Sequence, residues 1–283
     1  MFPVVIPVAG VGTRSLPASK AIPKEMMPLF DKPIIQYIAE EAVEAGVKEI
    51  IFVTSKGKTA LEDHFDAAPE LESFLKEKNK TSLLEEVQRV SRMLKVQSVR
   101  QKEALGLGHA VGMASGMISS SHFFVMLGDE VTDSTPNSLQ QLLQVYESLG
   151  DQREEAGVVM LMSVPDEDVS KYGICELQDR KILRCVEKPK AHETNSRWAI
   201  TGRYLLPRKV FEHIESSKRG ALGEIQLTDA LDALAKEGKL YACQFQGLRL
   251  DAGDRLGFLE ANLHFYLKSS LQEDVRKILR KYQ

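Results

Sequence analysis

The residues best suited to phosphate chemistry lie within the first thirty positions. Gly10 and Gly12 follow an apolar run, and Arg14, Lys20 and Lys24 place three cations within eleven residues. The backbone N–H groups of a glycine-rich turn can converge on phosphate oxygens. Arg14 can bind two such oxygens at once, whereas Lys24 acts as a point charge. The pattern predicts a cradle for a triphosphate, and a solvated loop with ordinary surface charges is the alternative.

Two common phosphate-binding motifs do not fit this chain. The dinucleotide fingerprint requires a third glycine where Ser15 stands, and the loop does not run straight into a helix. Gly57-Lys58-Thr59 resembles the end of a P-loop, but Phe52 occupies the position of the first glycine that a P-loop requires. The opening loop therefore belongs to another class of phosphate site.

Asp129 is the first candidate for a metal ligand. It follows the apolar run Phe123 to Leu127, at the C-terminal end of a predicted strand, where open α/β sheets bind their ligands. Magnesium prefers oxygen ligands and is usually held by one or two carboxylates together with substrate phosphates. Asp251, considered alone, is better explained as a cap of the predicted helix that begins at Asp254.

Alternating strand and helix patterns must position these residues. Apolar strand patterns at Phe2 to Val8 and Val47 to Val53 flank a helix that Pro33 opens and Gly46 ends, which is a βαβ unit. We predict an α/β, Rossmann-like fold with a mostly parallel central sheet, a mixed sheet extension after Gly157 and helices at the C-terminal end. After the second strand, the first half continues with a helical stretch at Leu71 to Val90, a strand at Leu94 to Val99, a helix from about Gly108 and a strand at His122 to Leu127. The second half has strands at Val158 to Val164, Gly173 to Leu177, Ile182 to Glu187 and Trp198 to Leu206. Helices follow at Glu224 to Lys236 and from Asp254 onward.

Composition limits the classes of partner. The chain has 283 residues, of which 43% are hydrophobic, and a net charge of −3, so no global field attracts nucleic acid or an anionic membrane. Three cysteines without a Cys-x-x-Cys pair argue against a disulfide framework or a zinc site. We expect a cytoplasmic protein that binds neither nucleic acid nor membrane.

Several motifs together resemble one family. They are Val8 to Arg14, Leu16-Pro17, Lys20 to Met26, Pro28-Leu29 and Asp31 to Pro33. The sequence resembles the bacterial UTP–glucose-1-phosphate uridylyltransferases, or UDP-glucose pyrophosphorylases, from Pro3 to about Leu267. The resemblance implies a domain at 1–250, with a nucleotide half at about 1–130 and a sugar-phosphate half at about 131–250, followed by a C-terminal helical segment at 251–283.

The resemblance also implies the site residues and the partners. In such an enzyme Gln101 bonds the uracil edge, Gly106 lies against the base, Glu187 accepts hydrogen bonds from glucose, and Mg²⁺ lies between Asp129 and Asp251. UTP and glucose 1-phosphate are the expected substrates, and a homodimer or homotetramer is the expected assembly. The implied catalytic residues are Arg14, Lys24, Asp129 and Lys188; the nucleotide-binding residues are Ala9, Gly10, Gly12, Thr13, Glu25, Gln101 and Gly106; and the sugar-phosphate-binding residues are Gly173, Glu187, Lys188 and Gly202.

Two positions depart from the family pattern. Gly128 and Glu130 differ from the flanks expected around Asp129, and Arg197 stands where an asparagine is common. Both lie beside implied site residues, and Arg197 bears on the identity of the sugar. Two alternatives to the implied activity stay open, although the retained Thr13, Arg14, Lys24 and Asp129 favour an active enzyme. One is a pyrophosphorylase for another nucleotide or sugar, such as dTTP, and the other is a non-catalytic regulatory paralogue.

Overall fold

A computed structural model describes residues 1–190, 192–217 and 223–282 of the protein. No helix within these ranges combines the length and apolar character needed to cross a bilayer. The strands are β1 (Val4–Pro7), β2 (Pro28–Leu29), β3 (Lys32–Pro33), β4 (Glu49–Thr54), β5 (Lys95–Arg100), β6 (His122–Met126), β7 (Glu130–Asp133), β8 (Gly157–Ser163), β9 (Gly173–Gln178), β10 (Lys181–Glu187), β11 (Trp198–Pro207), β12 (Leu240–Gln244) and β13 (Leu248–Asp251). The helices are α1 (Ile34–Glu44), α2 (Ala60–Asp63), α3 (Pro69–Glu77), α4 (Thr81–Arg92), α5 (Leu107–Gly112), α6 (Ser138–Ser148), α7 (Val210–Ser216), α8 (Leu227–Lys236), α9 (Arg255–Lys268) and α10 (Gln272–Leu279).

Nine strands form the central sheet in the order β5-β4-β1-β6-β11-β8-β12-β10-β9. The first four strands are parallel, as the βαβ pattern predicts, because helical crossovers connect them. From β11 onward the pairings are antiparallel except between β8 and β12. The sheet as a whole is therefore mixed, and the prediction of a mostly parallel sheet is not confirmed.

Strand β11 joins the two predicted halves of the chain. Its C-terminal part, from Arg203 to Pro207, pairs with β6 of the nucleotide half. Its N-terminal part pairs with β9, through Trp198 with Cys175 and Ala199 with Ile174. The other edge of β11 pairs with β8. The candidate sugar-binding strands are thus held in one sheet with the nucleotide-binding strands.

Hydrophobic residues cover both faces of this sheet. In β1, Val4 and Ile6 pack into one core cluster with α1 and α6, while Val5 packs into a second cluster with α5, α7 and α8. Alternating side chains of a strand point to opposite faces. Because both faces of β1 are buried, its sequence is a continuous apolar run rather than an alternating pattern.

Several predicted boundaries change in the structure. The predicted helical stretch at Leu71 to Val90 is two helices, α3 and α4, with Asn79 between them at a φ of 55°. The C-terminal helix is likewise two helices, α9 and α10. The sequence prediction omitted β2, β3, β7, β12, β13, α2, α6 and α7. Pro33 lies one residue before α1, and Gly46 ends that helix at a φ of 86°, as predicted.

Candidate active site

The glycine-rich loop leaves β1 as a left-handed turn. Gly12 has a φ of 70° and precedes a short 3-10 turn at Thr13–Ser15. Its carbonyl oxygen accepts a hydrogen bond from Ser19 Oγ at 2.7 Å. A Cβ atom on Gly12 would lie 3.2 Å from Ser19 Cβ, so glycine suits both the backbone conformation and the space. This turn directs Arg14 back toward the ends of the parallel strands.

Asp129 lies at the centre of the cationic cluster. Lys24 Nζ is 2.5 Å and Arg14 Nη2 is 3.8 Å from Asp129 Oδ2. Burial alone would raise the pKa of Asp129, but the charges of Lys24 and Arg14 outweigh burial and hold this pKa below its usual value. Asp129 is therefore an ionised carboxylate next to two cations, all three of them residues that the sequence singled out.

Strands β7 and β13 bring Asp251 to Asp129. They pair antiparallel with Asp251 opposite Glu130, and Ala252 N donates a hydrogen bond to the Asp129 carbonyl oxygen at 2.9 Å. A Cβ atom on Gly253 would lie 2.7 Å from Asp129 Oδ2 and 3.0 Å from Asp251 Oδ1. Both carboxylates thus face one point that only a glycine leaves open.

This pair of carboxylates fits a divalent cation. Asp129 and Asp251 both line one cavity, and two carboxylates in such a place suit a cation that also binds waters and substrate phosphates. Within the described residues, no group of three or more His, Cys, Asp or Glu side chains could form a metal site made by protein alone. The donor set therefore matches a cation that is shared with a phosphate substrate.

Asp251 has a different environment from Asp129. Burial raises the pKa of Asp251, and the negative charges of Glu130 and Asp129 raise it further. The hydrogen bond from Gly253 N and the charge of Arg249 lower this pKa but do not outweigh burial. Asp251 does not cap α9, because Asp254 Oδ1 accepts from Leu256 N and Gly257 N, each at 2.9 Å. The interpretation of Asp251 as a helix cap is wrong.

A cavity of about 520 Å³ lies along the opening loop. On its far side, Gln101 follows the end of β5, and Gly106 begins α5 with a φ of 99°. A Cβ atom on Gly106 would lie 2.7 Å from the Ile225 carbonyl oxygen, so the 224–226 segment closes over this turn. The lining residues that the sequence singled out are Ala9, Gly10, Arg14, Lys24, Glu25, Gln101, Gly106 and Asp129. Gly12 and Thr13 belong to the same turn but do not line the cavity.

A second cavity, of about 400 Å³, lies on the other side of Asp129. Gly173 and Glu187 line it, and Glu187 Oε2 accepts a hydrogen bond from Thr228 Oγ1 at 2.6 Å. A Cβ atom on Gly173 would lie 3.2 Å from Glu187 Oε2. The two cavities share four lining residues, which are Arg14, Leu107, Leu127 and Asp129. Ligands in the two cavities would meet at Arg14 and Asp129.

Two other predicted site residues, Lys188 and Gly202, contact residues that line this second cavity. Lys188 is 57% exposed, with Nζ 3.7 Å from Glu187 Oε1. A Cβ atom on Gly202 would lie 2.8 Å from the side chain of Leu127, and Gly202 N donates to Glu130 Oε2 at 3.0 Å. Arg197 pairs with Asp166 and does not line the cavity.

Sequence reasoning missed several residues around the site. Arg249 lines the second cavity, with Nε 2.7 Å from Glu130 Oε2 and its guanidinium 5.5 Å from the Tyr172 ring centre. Lys58 Nζ contacts both carboxylate oxygens of Glu25, at 3.0 and 3.1 Å. Buried charged side chains need partners, but the partners of these residues lie far away in the sequence. The motif Gly57-Lys58-Thr59 was the one local signal.

Comparison with protein families identifies the family to which this fold and candidate site belong. The family model described as nucleotidyl transferase matches residues 3–267. The chain belongs to the nucleotidyl transferase family. Its nucleotidyl transferase fold has the mixed sheet and surrounding helices described above.

Curated and solved nucleotidyl transferases include near relatives of this chain. A UTP–glucose-1-phosphate uridylyltransferase of Bacillus subtilis is 44% identical over 275 residues, or 95% of this chain and 92% of the relative. The structure of a UDP-glucose pyrophosphorylase from Acinetobacter baumannii is 37% identical and covers 100% of both chains with a TM-score of 0.90. A UDP-glucose pyrophosphorylase complexed with UDP-glucose is also 37% identical and covers 95% of this chain and 100% of its own, with a TM-score of 0.84. The resemblance inferred from the motifs is confirmed.

Proposed function

We propose that this nucleotidyl transferase forms UDP-glucose and pyrophosphate from UTP and glucose 1-phosphate. The observation that supports this most directly is the pair of cavities that meet at Arg14 and Asp129. One cavity is bordered by the glycine-rich loop, and the other by sugar-binding candidates. Relatives at 44% identity that are named for the same reaction support the choice of substrates.

The reaction is an in-line displacement at phosphorus. A phosphate oxygen of glucose 1-phosphate attacks the α-phosphorus of UTP, a new P–O bond forms, and the bond to the bridging oxygen of the β-phosphate breaks. Pyrophosphate leaves with the electron pair of that bond. No side chain is needed as a nucleophile, so the contribution of the protein is positioning and stabilisation of charge.

The cations of the chain offset the phosphate charges. Arg14 borders both cavities and is 59% exposed, so its guanidinium is free to contact the phosphates of either substrate. Lys24 Nζ, held at Asp129, lies where the triphosphate is expected to turn toward the second cavity. We assign Lys188 to the sugar phosphate, since its side chain extends beside Glu187.

The sugar hydroxyls are assigned to the second cavity. Glu187 already accepts one hydrogen bond from Thr228 Oγ1, which fixes the orientation of the carboxylate. Its other oxygen, Oε1, lies 3.7 Å from Lys188 Nζ and accepts no hydrogen bond from the described residues. We assign Oε1 to glucose hydroxyls, and the backbone of Gly173 and Gly202 to the adjacent face of the sugar.

Asp129 and Asp251 would hold Mg²⁺. When bound, the cation would neutralise phosphate oxygens of both substrates. We also propose a cytoplasmic homodimer or homotetramer, because all three cysteines are free thiols and large apolar side chains are exposed on α9 and α10.

The test is pyrophosphate release from UTP and from dTTP, each with glucose 1-phosphate and Mg²⁺. Lys24→Ala and Asp129→Ala should each lower kcat/KM about 10²- to 10³-fold, the range for removing one transition-state contact. The matched control is Lys48→Ala, an exposed lysine outside both cavities, which should retain turnover. Faster turnover with dTTP would reassign the nucleotide. UDP-glucose binding without turnover would indicate a regulatory paralogue.

A further inference from the structure

The side-chain amide of Gln101 has a defined orientation in the nucleotide cavity. Gln101 N donates to the Thr54 carbonyl oxygen at 2.8 Å, which anchors the backbone to the end of β4. The residue is only 7% exposed. With the backbone fixed and the side chain enclosed, the remaining freedom is which end of the amide faces the nucleotide.

Two neighbours determine that orientation. Gln101 Nε2 lies 3.3 Å from the Gly106 carbonyl oxygen and 2.8 Å from His109 Nδ1. A carbonyl oxygen can only accept, so the end of the amide that faces Gly106 must be the NH₂ group. Since an NH₂ group can only donate, His109 Nδ1 must accept its second hydrogen. In this hydrogen-bond arrangement Nδ1 of His109 is the ring nitrogen that accepts.

This arrangement leaves only an acceptor for the base. Both hydrogens of the Gln101 amide are used, and Oε1 has no partner within the described part of the chain. Uracil offers a donor at N3, whereas N3 of cytosine is an acceptor. An amide held in this way matches the uracil edge and opposes the cytosine edge at N3.

We propose that His109 is a positioning residue that selects uracil over cytosine by holding the Gln101 amide. His109 does not line the cavity, so it acts through Gln101 rather than on the nucleotide. Gly106 supplies the second constraint through its carbonyl oxygen. The proposal rests on the proposed use of UTP, and it adds the group that sets the choice of base.

The test compares His109→Leu with His109→Asn. Leucine removes the acceptor, whereas the asparagine Oδ1 can take the place of Nδ1. In His109→Leu the KM for UTP should rise about three- to tenfold, the value of one oriented hydrogen bond, with little change in kcat. The inhibition constant of CTP against UTP should stay the same or fall. His109→Asn should keep the KM for UTP and the preference of the unmodified protein.

A merely structural role would give the opposite order. Leucine has a higher helix propensity than asparagine, so damage to α5 should harm His109→Asn more than His109→Leu. The proposal is overturned if both variants keep the unmodified ratio of UTP to CTP affinity, or if nitrogen NMR of the free protein shows His109 Nδ1 protonated. If the unmodified protein does not turn over UTP at all, the proposed function fails instead.

Discussion

The buried pair of Glu25 and Lys58 lies directly behind Lys24. Glu25 is 1% exposed and Lys58 is 9% exposed. Burial raises the pKa of Glu25 and lowers the pKa of Lys58, even though the two charges attract each other. Both pKa shifts have the direction expected when burial disfavours the charged forms of the Glu25 carboxylate and the Lys58 ammonium. We infer that the pair is present to shape the opening loop rather than to stabilise the fold.

Removing Lys58 alone should therefore be more damaging than removing the pair. Lys58→Met leaves a buried carboxylate without its partner and should lower the free energy of unfolding by about 3–5 kcal/mol. Replacing both residues with methionine should recover most of this loss. Urea unfolding at pH 7 measures both variants. A double variant that loses the sum of the two single effects would contradict this account.

The same pair gives a pH dependence with a definite sign. Because the folded pKa of Glu25 lies above its ordinary value of 4.5, the folded state binds this proton more tightly than the unfolded state. Its stabilising contribution is fully present below pH 4.5 and is lost as the pH rises through the folded pKa. The stability of the double methionine variant relative to the unmodified protein should therefore increase from pH 4.5 toward pH 7.

At the scale of elements, the β7–β13 ribbon is the part that assembles the two aspartates. Its register places Asp251 opposite Glu130, and the Glu130–Arg249 ion pair joins the two strands near that end of the ribbon. Gly253, just after β13, leaves the space between the carboxylates open. Small changes at this turn should affect the site without changing the sheet.

Gly253→Ala tests the importance of that space. The new Cβ atom would lie within 3.0 Å of Asp129, Arg14 and Asp251, so the carboxylates must move apart. Turnover should fall at least tenfold and the magnesium concentration for half-maximal rate should rise, with little change in Tm. Gly116→Ala is the control, because nothing lies within 4 Å of a Cβ atom there. Equal activity of the two variants would contradict the proposed importance of the space between Asp129 and Asp251 at Gly253.

Local patterns predicted some elements and failed for others for physical reasons. Strands β1, β4 and β6 were predictable because parallel strands buried on both faces form continuous apolar runs. Strands β7 and β13 are short and paired with each other, so neither shows such a run. Asp129 could be predicted from the end of its strand, but Asp251 could be joined to it only by the family resemblance. The role of His109 depends on a tautomer, which a sequence does not record.

At the scale of the molecule, several of the exposed apolar side chains lie on or between the two C-terminal helices. Leu256 is 78% and Leu259 53% exposed on α9, while Ile278 is 52% exposed on α10. Leu271, between the two helices, is 46% exposed. A second copy of the chain is the expected cover for this surface.

Changing this surface should change the assembly. Leu271→Glu with Ile278→Glu should lower the molar mass measured by light scattering, because charges would be buried at the contact. Leu183→Glu, an equally exposed position on β10, is the control and should keep the mass of the unmodified protein. A monomeric unmodified protein would contradict the proposed homo-oligomer.

Arg14 and Asp129 border both cavities, and this has a consequence for equilibrium binding. A ligand in one cavity changes the charge and position of the groups that the other ligand will contact. The two binding free energies are then coupled, and the coupling is reciprocal. If UTP strengthens the binding of glucose 1-phosphate by some factor, the sugar phosphate must strengthen the binding of UTP by the same factor. If the two proposed ligands occupy these cavities, their common wall would make them one thermodynamically coupled site.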